Sequence, residues 1–167
     1  MNTRTVENHR RPIVAIVGRP NVGKSTLFNR ILGTRWAITD GQPGVTRDQI
    51  FAAAEWGGRS FTLVDTGGYM PNAKDALSAA VRSQAAKALT EADIAIFLCD
   101  GTTGLTDLDQ EMGAMLRSGG GKCLLAVNKV DETGPVAPLD EFYRLGLGEP
   151  LPVSAVTGRR SGDLLDA

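Results

Sequence analysis

A run of eight residues near the start of the chain has the types and spacing needed to hold phosphate groups. Gly18-Arg19-Pro20-Asn21-Val22-Gly23-Lys24-Ser25 matches the pattern G-x-x-x-x-G-K-[ST] without deviation. It follows the apolar, β-branched run Ile13–Val17 and opens a helical pattern over Lys24–Leu32. The glycines let successive backbone N–H groups turn toward phosphate oxygens, and the helix adds the partial positive charge of its N-terminus. The segment therefore predicts a nucleoside triphosphate site in which Lys24 reaches the β and γ phosphates.

Three further features are predicted to complete the phosphate end of this site with a magnesium ion. Ser25 offers a hydroxyl ligand to Mg²⁺. Asp65-Thr66-Gly67-Gly68 ends an apolar strand, so that Asp65 would hold a magnesium-bound water while the backbone of Gly67 and Gly68 approaches the γ phosphate. Thr46, in the stretch Gly44-Val45-Thr46-Arg47, would complete the magnesium shell when the γ phosphate is present. The Asp65 segment on its own would be read as an ordinary strand-ending turn.

Two segments later in the chain are predicted to select the base. Asn128-Lys129-Val130-Asp131 follows an apolar strand pattern, at the strand end where α/β sheets place their ligand crevice. The Asp131 carboxylate can accept hydrogen bonds from the ring N–H and the exocyclic amine of guanine, and adenine lacks both donors in that arrangement. Ser154-Ala155 can offer a backbone contact to the guanine oxygen. The predicted ligand is therefore GTP or GDP, and the pattern disfavours an ATP-using kinase.

Strand-like and helix-like segments alternate along the chain, which predicts an α/β doubly wound, mostly parallel sheet. Trp56-Gly57-Gly58 predicts a hairpin turn and hence one antiparallel edge strand. The predicted strands are Ile13–Val17, Ile50–Glu55, Arg59–Asp65, Ile94–Cys99, Cys123–Val127 and Leu151–Val153. The predicted helices are Lys24–Leu32, Asp75–Glu91, a helix from a capping box at Thr106 and Asp109 through Arg117, a short stretch after the loop Thr133–Pro138, and Gly162–Ala167.

Composition restricts the class of protein further. The 167 residues fit one domain, expected over residues 12–167 behind a disordered polar tail at 1–11. With 18 basic and 19 acidic side chains the net charge is −1, so direct nucleic-acid binding by this domain is not expected. Cys99, Cys123 and the single His9 predict no zinc site. No apolar run approaches the ~18 residues of a membrane span, and a cytoplasmic location is predicted.

The motifs together resemble the translation-factor-related GTPases, and most closely the first GTPase domain of the bacterial EngA (Der) family. The resemblance rests on GRPNVGKSTLFNRILG, PGVTRD, DTGG, NKVD and EFYRLGLGEPLPVSA. It implies a Ras-like P-loop NTPase fold with a six-stranded sheet, and GTP hydrolysis as a switch in assembly of the large ribosomal subunit. Members carry a second GTPase domain and a KH-like domain, so the resemblance implies a truncated chain whose ribosome contacts come mainly from absent domains.

The resemblance also assigns roles to residues. It implies switch regions at Trp36–Asp48 and Thr66–Ala76, and Tyr69 stands where Ras-like proteins carry a water-orienting glutamine. Related GTPases with an asparagine at the position of Asn21 bind K⁺ there, which implies K⁺-stimulated turnover. The predicted catalytic residues are Asn21, Lys24, Thr46 and Gly68. The predicted nucleotide contacts are Gly18, Arg19, Pro20, Asn21, Val22, Gly23, Lys24, Ser25, Thr26, Asp65, Thr66, Gly67, Gly68, Tyr69, Asn128, Lys129, Val130, Asp131, Ser154 and Ala155.

Two other functions fit the same motifs. The first alternative is a GTP-sensing regulatory module with negligible turnover, and the second is the GTPase domain of a tRNA-modifying protein. A turnover assay that depends on K⁺ separates the first of these from a GTP hydrolase.

Overall fold

The computed structural model describes residues 10–33, 44–45, 49–67, 73–131 and 138–167. These ranges contain seven strands, four α-helices and one 3₁₀ helix. The strands are β1 (Ile13–Val17), β2 (Gly44–Val45), β3 (Ile50–Trp56), β4 (Arg59–Asp65), β5 (Ile94–Asp100), β6 (Lys122–Asn128) and β7 (Leu151–Pro152). The helices are α1 (Lys24–Gly33), α2 (Lys74–Glu91), α3 (Asp107–Ser118), the 3₁₀ helix (Leu139–Leu145) and α4 (Ser161–Asp166).

The strands form one mostly parallel sheet in the order β2-β3-β4-β1-β5-β6-β7. β1 lies at its centre and pairs in parallel with β4 and β5, while β6 and β7 continue the parallel pairing. The continuously apolar runs at Ile13–Val17 and Ile94–Cys99 explain this position, since a strand covered on both faces needs apolar residues at every position. The predicted doubly wound α/β class is confirmed.

The hairpin of β3 and β4 supplies the predicted antiparallel strand. Trp56 pairs with Arg59, so the turn consists of Gly57-Gly58 alone and β3 is one residue longer than the sequence predicted. β2 then pairs antiparallel with the outer side of β3 and adds a short seventh strand. The sequence analysis missed β2 because two residues carry no periodic pattern.

The core consists of two apolar layers, one on each face of the sheet. Alternate strand residues point to opposite faces, so neighbours such as Phe97 and Leu98 belong to different layers. One layer packs against α2, α3 and the 3₁₀ helix, and the other against α1 and α4. This arrangement fixes the carboxyl ends of the parallel strands along one edge of the sheet, where the loops that carry the predicted motifs emerge.

The ends of the helices follow the local sequence. Thr106 accepts a hydrogen bond from the Asp109 N–H, and the Asp109 carboxylate accepts from the Thr106 N–H, so the predicted capping box opens α3. α2, at 18 residues, carries lysine, arginine and acidic side chains along its length. No helix within the described ranges is both long enough and apolar enough to cross a bilayer.

Both cysteines are free thiols on neighbouring strands. Cys99 is fully buried and Cys123 is partly buried. Burial raises the pKa of Cys99 far above its usual range, with the carboxylate of Asp109 adding to the shift, and burial raises the pKa of Cys123 to about 11. Both thiols therefore stay protonated at neutral pH and act as small apolar side chains.

Candidate nucleotide-binding site

The phosphate loop leaves β1 at the carboxyl edge of the sheet and runs directly into α1. Asn21 and Gly23 hold positive φ angles of 66° and 102° in this loop. A Cβ atom at Gly23 would stand 2.3 Å from Nδ2 of Asn128, so no larger residue fits against the base-side loop. Val22 is fully buried beneath the loop and anchors it to the α1 face of the core. The loop is thus shaped by its contacts with β6 as well as by its own sequence.

Lys24 lies across the mouth of the phosphate loop. Its side chain is 6% exposed, and its Nζ donates to the carbonyl oxygens of Gly18 and Arg19 at 2.8 Å each. Burial lowers the pKa of Lys24 to about 8, partly offset by the Asp65 carboxylate, while Arg19 lowers it further. A partly desolvated ammonium held in this way is a strong partner for phosphate oxygens.

The two predicted magnesium ligands that the structure describes meet at the base of the loop. Ser25 Oγ donates to Asp65 Oδ2 at 2.9 Å, and Asp65 Oδ1 accepts from the Gly67 N–H at 2.8 Å. Asp65 is 2% exposed at the end of β4. A hydroxyl and a carboxylate at this separation are hard oxygen donors of the kind that Mg²⁺ takes, so the residues present fit the ion.

Asn128 ties the phosphate side of the site to the base side. Its Nδ2 donates to the Val22 carbonyl and its Oδ1 accepts from the Ala155 N–H, both at 2.9 Å. The side chain is 2% exposed at the end of β6. Asn128, the first residue of the predicted base motif, therefore cross-links two loops in this structure, and the Ala155 N–H, in the segment predicted to contact the guanine oxygen, donates to it.

Lys129 is held by a carboxylate that the sequence analysis missed. Its Nζ donates to the Asn21 carbonyl at 2.9 Å and to Asp100 Oδ2 at 2.7 Å. Burial alone would raise the pKa of Asp100, but hydrogen bonds from Lys129 and Thr102 outweigh it and hold that pKa below its usual value. Asp100 is the last residue of the apolar strand β5, just as Asp65 is the last residue of β4. This shared position at a strand end is the feature of the sequence that could have indicated Asp100 as a residue of the site.

The base-side loop after β7 is held by α1. Arg30 Nε donates to the Ala155 carbonyl at 2.9 Å, and Arg30 also hydrogen-bonds the Val156 carbonyl. Ser154 is buried, and its hydroxyl accepts from the Thr157 N–H at 3.3 Å. Thr26 and Ala155, both predicted nucleotide contacts, line one open cleft of about 420 Å³ between α1 and this loop. Arg30 lies within the quoted stretch GRPNVGKSTLFNRILG, but that stretch did not predict its contact with a loop 125 residues away.

Val130 and Asp131 complete the predicted base motif. The Val130 N–H donates to the Val153 carbonyl at 3.0 Å, which fixes the segment against β7. Asp131 follows in an exposed position, on the same edge of the sheet as Asn128 and Ser154. The structure therefore brings the phosphate loop, the end of β4 and both base-side segments to one edge.

The Arg19 side chain makes two contacts outside the phosphate loop. Its Nε contacts Asp109 Oδ2, in the first turn of α3, at 3.4 Å, and its Nη2 donates to Thr103 Oγ1, in the turn after β5, at 2.5 Å. The Arg19 side chain is 14% exposed, and the Asp109 side chain is fully buried. An arginine paired in this way is a structural link between the phosphate loop and α3.

Several predicted site residues fall outside the ranges described. They are Thr46, Arg47, Gly68 and Tyr69, together with most of the predicted switch region Trp36–Asp48 and residues 68–72 of the predicted switch region Thr66–Ala76. Their roles stay predictions.

Comparison with known proteins places this site in context. Residues 13–129 match the family described as 50S ribosome-binding GTPase. A protein named GTPase Der from Moorella thermoacetica is 57% identical over 156 residues, which cover 93% of this chain and 36% of that protein. The chain thus spans about a third of the length of the curated relatives it matches. The sequence resemblance to the EngA (Der) family is confirmed.

Solved structures agree with the fold. Era in complex with MgGDPNP and a 16S ribosomal RNA segment is similar with a TM-score of 0.71 and 31% identity, over 94% of this chain and 55% of that one. Aquifex aeolicus Era bound to GDP·AlF₄⁻ gives a TM-score of 0.67 and 29% identity, over 92% and 54%. Both are nucleotide complexes, and both are similar to this chain in overall fold.

Proposed function

Because the chain belongs to the 50S ribosome-binding GTPase family, we propose that it binds Mg²⁺ with GTP or GDP at this site and hydrolyses GTP. The observation that carries the proposal is the convergence of three loops. Lys24 crosses the phosphate loop, Ser25 meets Asp65 beneath it, and Asn128 joins it to the base-side loop. The tRNA-modifying and non-hydrolysing alternatives are not favoured, because the curated relatives are named GTPase Der.

The phosphate end of the site accounts for binding and for charge stabilisation. Lys24 would exchange its two carbonyl partners for β and γ phosphate oxygens, and the first N–H groups of α1 would face the same anion. Ser25 would hold Mg²⁺ directly, and Asp65 through a water molecule; the ion supplies positive charge to the β and γ phosphates when bound. In phosphoryl transfer such positioning and charge neutralisation provide most of the catalysis.

The base end accounts for selectivity. Asp131 would accept the two guanine N–H groups, and Lys129, fixed by Asp100 and Asn21, would lie along the base. Adenine would leave the Asp131 carboxylate without those donors, which costs about 1.5–3 kcal/mol for each charge-assisted bond lost. The guanine oxygen would share the Ala155 N–H with Asn128.

Ser25→Ala should make nucleotide binding lose its dependence on magnesium. The wild-type domain should bind GDP more tightly with Mg²⁺ than with a chelator, and the variant should show little of that difference, because the hydroxyl ligand is gone. Calorimetric titration with GDP in both buffers measures it, with Ser83→Ala, which removes an exposed serine hydroxyl on α2 outside the predicted contacts, as the matched variant. A Ser25 variant that keeps the full magnesium effect would remove Ser25 from the ligand set.

Potassium is proposed to supply the charge that an arginine supplies in other GTPases. Arg19 is already paired with Asp109, so it does not serve that role in this arrangement. Asn21 is exposed in the phosphate loop, and its carbonyl is fixed by Lys129, so its side chain can face a cation beside the phosphates. GTP turnover should therefore rise at least about tenfold from Na⁺ to K⁺ buffer at equal ionic strength.

The turnover assay that tests this proposal measures inorganic phosphate release. Asn21→Gly removes the side-chain oxygen and tolerates the φ of 66° at this position. It should abolish the difference between the two salts and leave GDP affinity within about threefold, because one neutral contact is lost. Equal rates in Na⁺ and K⁺ for the unchanged domain would refute the potassium site. Measurable GTP hydrolysis in either salt would still support the GTPase activity.

The biological setting is proposed from the relatives. Residues 12–167 would form the first GTPase domain of a longer protein behind a polar tail at 1–11, with a cytoplasmic role in assembly of the large ribosomal subunit. The match to GTPase Der over 36% of its length supports this domain organisation. The net charge of −1 supports ribosome contacts made mainly by other domains, since a balanced surface attracts phosphate backbones weakly.

A further inference from the structure

A buried glutamine on α2 bridges the two loops that face the phosphates. Gln84 is 7% exposed and lies on the inner face of the helix. Its Oε1 accepts from the Gly18 N–H at 3.0 Å, and its Nε2 donates to the Thr66 carbonyl at 3.0 Å. Both ends of one amide are thus used, and each contacts the backbone of a different loop.

These two backbone groups belong to the parts of the site that must keep a fixed separation. Gly18 opens the phosphate loop, and Thr66 lies between the magnesium-side Asp65 and Gly67. A Cβ atom at Gly67 would stand 2.6 Å from Cε of Lys24, so the backbone there passes directly over the lysine. A shift of the Thr66–Gly67 peptide therefore changes the space beside the Lys24 ammonium, where the γ phosphate would lie.

We propose that Gln84 is a positioning residue. Its hydrogen bond to the Thr66 carbonyl holds the Thr66–Gly67 peptide at the distance from Lys24 that the γ phosphate needs. The proposal rests on the proposed nucleotide function. Thr66 is already tied to β1, because its N–H and hydroxyl donate to the Ile16 carbonyl at 3.3 and 2.7 Å. Gln84 holds the carbonyl of the Thr66–Gly67 peptide and Asp65 holds its N–H, so α2 and the end of β4 together set the orientation of this peptide.

Packing alone does not explain a glutamine at this place. Its helical neighbours in the core are Val81, Ala85 and Ala88, and burying an amide among them is unfavourable unless both of its ends are hydrogen-bonded. α2 is also held independently against α3, since Ser78 and Arg82 both contact Glu111 at 3.0–3.1 Å. The helix should therefore stay in place when the Gln84 amide is changed, so that a substitution of Gln84 tests its two hydrogen bonds without displacing α2.

Two variants separate the two ends of the bridge. Gln84→Glu keeps an acceptor for the Gly18 N–H but loses the donor to Thr66, and it places a carboxylate oxygen against that carbonyl. It should weaken binding of a non-hydrolysable GTP analogue by about tenfold while GDP affinity changes by less than about threefold. Gln84→Met fills similar space with neither hydrogen bond, so it should weaken both nucleotides, the triphosphate more.

Calorimetric titration of each variant with Mg²⁺·GDP and with the Mg²⁺·GTP analogue gives the ratio of affinities. The matched control is Gln110→Glu, which makes the same change at an exposed position of α3 and should leave the ratio unchanged. Thermal unfolding of the nucleotide-free variants reports structural damage separately, because loss of fold would lower both affinities together.

The ratio of the two nucleotide affinities in each variant decides whether the proposal holds. A triphosphate-selective loss in both variants supports the proposal, because the uncharged Met variant excludes repulsion between a new carboxylate and the additional phosphate. Equal losses for both nucleotides, or none, would overturn it and leave GTP binding intact. If the Glu variant does not fold, the ratio in the Met variant decides in the same way. An unchanged domain that binds neither nucleotide would refute the proposed function, and the role of Gln84 with it.

Discussion

Replacing Lys24 by alanine is expected to lower guanine nucleotide affinity by about two to four orders of magnitude. The lysine is 6% exposed and bridges the carbonyls of Gly18 and Arg19, so its ammonium is already aimed across the loop. Its loss removes two charge-assisted contacts to phosphate from a partly desolvated site. Lys122→Ala, an exposed lysine at the opposite end of β6, is the matched control and should bind normally.

The same lysine predicts the direction of a pH effect. In the free domain its pKa is about 8 because of burial, so the neutral form predominates above that pH. A bound phosphate favours the charged form and raises the pKa, so binding takes up a proton at alkaline pH. Affinity for GDP should therefore fall as the pH rises above about 8 in the unchanged domain and much less in Lys24→Ala. A variant that binds within threefold of the unchanged domain would contradict the role of Lys24.

Asp131→Asn should change the base that the site prefers. The carboxylate accepts from two guanine N–H groups, whereas the amide of asparagine accepts one and donates to the oxygen that xanthine carries in place of the amine. GTP affinity should fall by about 100-fold and XTP should become the preferred ligand, since two charge-assisted bonds are affected.

Competition binding with GTP, XTP and ATP measures this change. Asp140→Asn is the matched control, because Asp140 is exposed at the start of the 3₁₀ helix, outside the site. Unchanged GTP preference in the Asp131 variant would mean that another group reads the base.

The parts of the site that sequence alone predicted are those carried by contiguous motifs. The phosphate loop and the Asn128–Asp131 segment each follow an apolar strand, and the rule that ligands bind at the carboxyl ends of parallel strands brings them together. The capping box at Thr106 and Asp109 could also be predicted from a contiguous pattern, because both residues lie within one turn of the helix.

The parts that sequence did not predict depend on contacts between distant segments. Gln84 lies in an alanine-rich helix 18 residues beyond Thr66, and nothing local distinguishes it from a surface glutamine. Arg30 reaches a loop 125 residues away, and Asp100 and Lys129 pair only because β5 and β6 are neighbours. The engagement of Arg19 by α3 was likewise hidden, because its partner Asp109 already served as a helix cap.

The central claim is that this edge of the sheet is a guanine nucleotide site, and direct titration of the 167-residue chain with Mg²⁺·GTP and Mg²⁺·ATP tests it. The geometry of Lys24, Asn128 and Asp131 predicts saturable binding of GTP with one site per chain, at least about 1000-fold tighter than ATP. Equal affinity for the two nucleotides, or no binding of either, would contradict it.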